Sequence, residues 1–455
     1  MIDFKKYVLE YKEDFIRDLV RVLKINSELT VFDPKSKTPF GEGIDEVLRL
    51  FLQMAEKDGF KTTYVDGYAG DITLGEQKPW VGTIGHLDVV PAGINWTYPP
   101  YEAKIVNNRI YARGAEDDKG PSVCFYYAMK ILKRLQDEGH IKLNKRIKMI
   151  LACDEESGWR CVDYYFKKYP EQPVWGFIPD ADFPLIYAEK GIVDLHLNGL
   201  IESKNIHSLH AGARANMVPD VAKAQINNLS PKVSKAFLEY LKQNNFKGKV
   251  SDNTLEIEGI SAHGSTPWVG KNAIFLLNNF LKQQFDEEII QIIDKYFTDD
   301  FYGKKINIAY TDGEMGVLSS NLGILNYENN HLEIILNIRY PKGTTAPQIK
   351  ELAQEKISKL KVTIGHDNPL LYFDKNSYLV KTLMDVYKKY TNDTQAQPIV
   401  IGGGTFARAL HNSVAFGPHF PNRPSYIHNK DEYLEIEDLL QALVIYLESL
   451  YLLAS

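Results

Sequence analysis

The residues best suited to chemistry in this 455-residue chain are short clusters of acids and imidazoles. Gly85-His86-Leu87-Asp88 follows an apolar run at 80–84. Asp117-Asp118-Lys119-Gly120 comes just before a helical pattern opening at Pro121. Asp154-Glu155-Glu156 ends an apolar run at 146–152, and Pro179-Asp180-Ala181 ends another at 174–178. Imidazole nitrogen and carboxylate oxygen are ordinary ligands of divalent cations. Each cluster also has a plain reading. A lone His-x-Asp is often a loop histidine, paired acids before a helix are often caps, and three acids at a strand exit are often a solvated turn. The coincidence favours chemistry: three strand ends and one helix start each offer a ligand, where ligands gather in an open α/β sheet. On this reading His86 is a metal ligand whose ring the Asp88 carboxylate orients. Asp117 can bridge two cations through its two oxygens. A cation would relieve the repulsion among Asp154, Glu155 and Glu156, and one of these acids can coordinate while another stays free as a general base.

Three further motifs lie downstream. His263 stands in Ile260-Ser261-Ala262-His263-Gly264-Ser265, which reads as a surface loop or as a second functional histidine. Gly402-Gly403-Gly404-Thr405 lacks the Gly-Lys-Ser/Thr of a phosphate-binding loop, so that reading is rejected. Close backbone approach to a small ligand, or a tight turn, remains. His428 sits in Ser425-Tyr426-Ile427-His428-Asn429-Lys430-Asp431-Glu432, just before a C-terminal apolar segment.

The elements that must position these groups are legible from periodicity. Phe4, Val8, Tyr11, Phe15, Leu19 and Leu23 form one helical face, and 44–55 repeats the pattern. Apolar runs at 80–84, 146–152 and 174–178 read as strands, with helices at about 121–136 and 160–168 between them, which indicates an α/β fold with a parallel sheet. The character changes after about residue 185. Strands are expected at 192–200, 254–260, 305–311 and 331–338, with helices at 231–243 and 272–296. Helical patterns resume at 376–391 and 434–453, the last apolar but carrying Glu448 at helical spacing. The expected organisation is therefore a first domain of 1–186 and 372–455, with 187–371 inserted.

Composition narrows the class. The 53 basic and 59 acidic residues leave a charge of −6, which argues against a nucleic-acid partner. Cys124, Cys153 and Cys161 form no Cys-x-x-Cys motif and read as buried thiols in a reducing compartment. No signal peptide and no apolar run of about 18 residues is visible. A cytoplasmic protein with no membrane partner is expected.

Taken in order, Gly85 to Gly93, Tyr111 to Pro121, Asp154-Glu155-Glu156, Pro179-Asp180-Ala181, Ala262-His263-Gly264 and Gly403 to Arg408 resemble the dinuclear metallopeptidases that include aminoacylases, carnosinases and succinyl-diaminopimelate desuccinylase. The resemblance runs from about residue 10 to the C-terminus and is nearest to the bacterial carnosinase-like (Xaa-His) dipeptidases. It implies a catalytic domain with a central, mostly parallel sheet flanked by helices, and an inserted α+β lid. It implies two divalent ions per chain, zinc first, with manganese or cobalt as alternatives. His86, Asp117 and Asp180 would hold one, and His428, Asp117 and Glu156 the other. Asp117 would bridge, with a cis bond to Asp118. Glu155 would be the general base acting on a water between the ions, Asp88 would support His86, and His263 would reach the developing oxyanion. Asn216, Arg339, Gly403, Gly404, Thr405 and Arg408 would bind substrate, with Arg339 on its C-terminal carboxylate.

The implied activity is hydrolysis of dipeptides, with an N-acyl amino acid amidohydrolase as the alternative. A non-catalytic metal-binding protein is the remote one, against which the presence of Glu155 stands. A long lid implies a monomer restricted to short peptides, with a dimer left open. Two departures from the pattern stand out. Glu116 replaces a small or amide residue and adds negative charge near the metals, with an expected effect on metal preference. Asp431 stands where Asn is common.

Overall fold

The structure, a computed structural model, describes residues 2–455 and separates into two compact units. Of the described residues, the first comprises 2–187, 373–399 and 405–455; the second comprises 188–372 and 400–404. The short 400–404 segment, holding the glycine run, thus groups with the second unit.

The first unit is built on a mixed sheet. Its centre is four parallel strands in the order Arg146–Ala152, Trp80–His86, Trp175–Ile178 and Ser413–Ala415. The Lys61–Val65 and Ala69–Leu74 hairpin adds antiparallel strands beside Arg146–Ala152. Every residue of Trp80–His86 is buried, as a strand covered by helices on both faces requires. The Lys119–Asp137 helix packs against the C-terminal helix Ile436–Ala454, which also meets Tyr378–Thr391. Glu448 inside that last apolar helix is neutralised by Lys389, whose Nζ donates to both carboxylate oxygens at 2.6 and 2.7 Å.

The central strands approach one another closely at Gly82. A Cβ built there would lie 1.7 Å from the main-chain oxygen of Lys148 on the neighbouring strand. Backbone cannot yield as a side chain does, so Gly82→Ala is expected to cost about 3 kcal/mol, the upper range for overpacking. The measurement is the denaturant midpoint at unchanged m-value. A variant as stable as the parent would show that the strands part there without penalty.

The second unit is an eight-stranded, wholly antiparallel sheet. Its order is Gly248–Ser251, Thr254–Glu258, Val221–Ile226, Ile206–Ala211, Ser319–Glu328, His331–Tyr340, Gly191–Leu200 and Lys361–Asn368. Burial alternates along Gly191–Leu200, the mark of a sheet with one covered face. Leu195, Leu209, Leu255, Ile334 and Leu336 from the sheet join Phe237, Ile274, Phe280 and Ile293 from the helices in one core. Pro231–Asn244 starts with Ser230 as its cap, accepting from the Val233 N–H, and with Pro231 at its first position.

Two expectations in this region are corrected. The 305–311 segment is not a strand; only Thr311–Asp312 pairs, with Gly316–Val317. Ile306 and Ile308 are buried and imitate strand alternation, but Asn307 between them has φ 63°. The 272–296 stretch is two helices, Ala273–Gln284 and Glu288–Tyr296, separated where Phe285 is extended. Among the described residues, no helix is long and apolar enough to cross a membrane.

Candidate metal centre

The parallel register explains why distant acids meet. His86 is the last residue of Trp80–His86 and pairs with Ala152, so Asp154-Glu155-Glu156 leaves the sheet beside it. Trp175–Ile178 lies parallel on the other flank and delivers Asp180 to the same edge. Asp117 precedes Lys119–Asp137, and the Asp117–Asp118 peptide is cis. Neither acid makes a side-chain cap bond to that helix; Asp118 instead accepts from the His86 N–H at 3.0 Å and from Ser122 Oγ at 3.0 Å.

The side chains converge. His86 Nε2 lies 2.8 Å from Asp117 Oδ1 and 3.6 Å from Asp180 Oδ2. His428 Nε2 lies 3.0 Å from Asp117 Oδ2 and 3.1 Å from Glu156 Oε1. The two oxygens of Asp117 thus address two different imidazoles, and each imidazole has a second carboxylate beside it. His86, Asp117 and Glu156 each present a ligand atom, all within 4.8 Å of one another.

The tautomer of His86 tests whether a cation belongs here. Its Nδ1 is 2.9 Å from the main-chain oxygen of Asp88 and must donate to it. In a neutral ring Nε2 is then a bare lone pair, buried, without an aligned hydrogen bond, and facing carboxylate oxygens. Lone pairs pointed at one another repel unless a proton or a cation lies among them. The donor set therefore fits a divalent metal.

The electrostatics of the metal-free chain agree. Burial works against the charged form of His86, but the Asp117, Asp88 and Asp180 carboxylates outweigh it and hold the imidazole well above its ordinary pKa. Hydrogen bonds to Asp117 and Glu156 push His428 up to about 10. Burial, reinforced by Asp117, lifts Asp180 to about 7. Burial likewise raises Glu156 and, further, Glu155. Crowded acids that favour protonation are a site short of positive charge.

The three acids at the Arg146–Ala152 exit divide their roles. Asp154 is buried and bound by both Nε and Nη2 of Arg160, at 2.6 and 2.7 Å. Glu156 faces His428. Glu155 Oε1 accepts from Trp159 Nε1 at 3.2 Å, a partner that motif reading missed. Trp159 is itself held against Phe406. Asp88 turns out to act in two ways. Its main-chain carbonyl takes the ring Nδ1–H of His86, while its carboxylate, 3.6 Å from Nδ1, accepts from the N–H groups of Glu155 and Glu156 at 3.0 Å each. Motif reading also passed over Arg113 and Glu432, a wholly buried ion pair at 2.6 Å. Both stand inside the stretches already singled out, and only their pairing was invisible.

The two departures have local explanations. Glu116 is buried and its Oε2 accepts from the Tyr426 N–H at 3.2 Å. Asp431 has φ 59°, a conformation Asp and Asn tolerate, and its carboxylate takes the N–H and hydroxyl of Thr97.

In the second unit the remaining candidates gather round Arg339. Its Nε donates to Asn337 Oδ1 at 2.9 Å and its Nη1 to the Gly402 oxygen at 3.0 Å. Gly264 lies against Asn337 and Asn216, its N–H donating to the Asn216 oxygen at 2.7 Å. His263 pairs across a bridge with Met217, and its Nδ1 is 2.7 Å from Ser265 Oγ. Gly403 and Gly404 continue the segment that begins at Gly402. Thr405 and Arg408 fall in the first unit, where Thr405 Oγ1 accepts from the Ala407 N–H at the start of a short turn, Phe406–Arg408.

The chain belongs to peptidase family M20/M25/M40, matching its description over residues 82–451. It is 41% identical over 463 residues to a Bacillus subtilis (strain 168) protein named "Putative dipeptidase YtjP", covering 98% of both chains. It is 36% identical over 471 residues to a "Putative dipeptidase" of Staphylococcus epidermidis, covering 99% of both. Its fold is similar to the crystal structure of human carnosine dipeptidase 1, with a TM-score of 0.59 at 14% identity, covering 99% of this chain and 98% of that one. It is also similar to aminopeptidase PepT from Bacillus cereus, with a TM-score of 0.57 at 15% identity, covering 98% and 99%.

Proposed function

We propose that this protein is a metal-dependent dipeptidase that hydrolyses the amide bond of short peptides. The observation that supports it most is Asp117, whose two carboxylate oxygens each face a different histidine. In this reading His86, Asp117 and Asp180 hold one divalent ion, and His428, Asp117 and Glu156 hold the other. Bound metal supplies a lowered pKa for the attacking water and polarisation of the scissile carbonyl. A set of oxygen donors with one imidazole per ion suits zinc, manganese or cobalt.

The chain's own residues do the rest. Glu155 takes the proton of the attacking water and returns it to the leaving amine. The Trp159 N–H tethers one oxygen of Glu155 and leaves the other for the proton. The Asp88 carboxylate holds the N–H groups of Glu155 and Glu156, so base and ligand keep a common orientation. In this reading Arg339, buried and held by Asn337 and the Gly402 oxygen, pairs its positive charge with the peptide's terminal carboxylate. Asn216, Gly403, Gly404, Thr405 and Arg408 line the substrate in this reading. His263 stabilises the oxyanion, and the inserted domain serves as the lid. The reducing environment implied by three buried free thiols suits a cytoplasmic enzyme.

The test is hydrolysis by chelated protein re-supplied with one metal at a time. Free-amino dipeptides and N-acyl amino acids are offered in parallel. Chelation should abolish hydrolysis, a divalent ion should restore it, and dipeptides should be the better substrates. Preference for the acylated set would make the protein a deacylase of the same family, and full activity after chelation would end the metal reading.

A further inference from the structure

Asp117 and His428 lie 311 positions apart, and each sits on a loop rather than inside a regular element. His86 is fixed by total burial, but the His428 side chain is 51% exposed. Beyond its contacts with Asp117 and Glu156, its position depends on its backbone, and three carboxylates fasten the loop that carries it. The Glu432 carboxylate, wholly buried, accepts from Arg113 Nη1 at 2.6 Å and from the N–H groups of Gly114, Glu116 and Asp117 at 3.1, 2.8 and 3.3 Å. In return its main-chain oxygen takes the Ala112 N–H. Glu116 reaches the opposite way, to the Tyr426 N–H. Asp431 fastens the same turn to Thr97. Just beyond, Tyr433–Glu435 pairs with Arg109–Tyr111, so both loops also hang from one strand pair.

We infer that Glu432 is a positioning residue for the candidate centre: its carboxylate clamps the 113–117 loop to the His428 loop and thereby sets the hold on the ion nearer His428. The inference rests on the two-ion reading above. Its physical basis is that both loops carry ligands to one place, so an error in either displaces a donor atom. Removing partners that support ligands typically costs 10- to 100-fold in metal affinity. The effect is graded: the other ion shares Asp117 but also takes His86 and Asp180, which the sheet edge places without help from Glu432, so it should be weakened less.

The experiment measures ions bound per chain and their affinities, by calorimetry and elemental analysis after dialysis, for the parent, Glu432→Gln and Glu116→Gln. Circular dichroism and the unfolding midpoint of the metal-free chains are followed alongside. Glu432→Gln should bind the ion nearer His428 about 10- to 100-fold more weakly and the other ion by a smaller factor. Glu116→Gln, which weakens a pin by removing its charge without leaving Arg113 unpaired, should weaken the ion nearer His428 by a smaller factor. If Glu432→Gln does not fold, Glu116→Gln decides alone. Two ions held as tightly as in the parent, with only the unfolding midpoint lowered, would make these groups merely structural and overturn the inference. A parent chain that binds a single ion would instead overturn the two-ion reading, and this inference with it.

Discussion

Glu155→Gln is expected to lower kcat by roughly 10³-fold, within the usual contribution of general acid–base catalysis, while leaving bound metal unchanged. The substitution keeps the size of the side chain and an oxygen for the Trp159 N–H, which sits 3.2 Å from Oε1. The loss is confined to proton acceptance, and a factor of 10³ corresponds to about 4 kcal/mol of barrier. Neighbouring groups do not replace the base. Asp154 is engaged by Arg160 through both oxygens, and Glu156 faces His428. Steady-state kinetics on a dipeptide together with elemental analysis separate the outcomes. Near-parental turnover would remove Glu155 from the mechanism. Lost metal would make it a ligand rather than a base.

Asp117→Asn is expected to do more, removing both ions together. An amide has one carbonyl oxygen and no charge, so it cannot address His86 and His428 at once, as the carboxylate does from 2.8 and 3.0 Å. Loss of a supporting partner already costs 10- to 100-fold in metal affinity, and a shared direct ligand should cost more than about 100-fold for each ion, with hydrolysis falling below detection. The two ions should leave in one step of a metal titration. His428 should also titrate lower than in the parent, because Asp117 is the first of the two carboxylates that hold it up to about 10. Proton NMR of the metal-free variant measures that shift. Loss of a single ion, with the other bound at parental strength, would show that Asp117 serves one position only.

The chain's local pattern was sufficient for several features. The apolar runs at 80–84, 146–152 and 174–178 are strands because buried parallel strands need continuous apolar residues. The acids at their ends stand out because such runs seldom finish in charge. Periodicity misread 305–311, where Ile306 and Ile308 anchor a loop, and joined two helices across Phe285. In both places burial rather than secondary structure set the spacing of apolar residues.

Residue order alone determined which side chains are available and that three of the clusters leave strands of a parallel sheet, since strand pattern and chain polarity are local properties; which strands are neighbours came from the tertiary structure. Only the tertiary structure decided what each group faces. It turned the Asp88 carboxylate to the Glu155 and Glu156 N–H groups, gave Asp154 to Arg160, tethered Glu155 to Trp159, and buried Glu432 against Arg113 across 319 positions. Such pairings follow from which surfaces close on one another and which buried polar atoms must then find partners, and that condition has no signature in the spacing of residues along a chain.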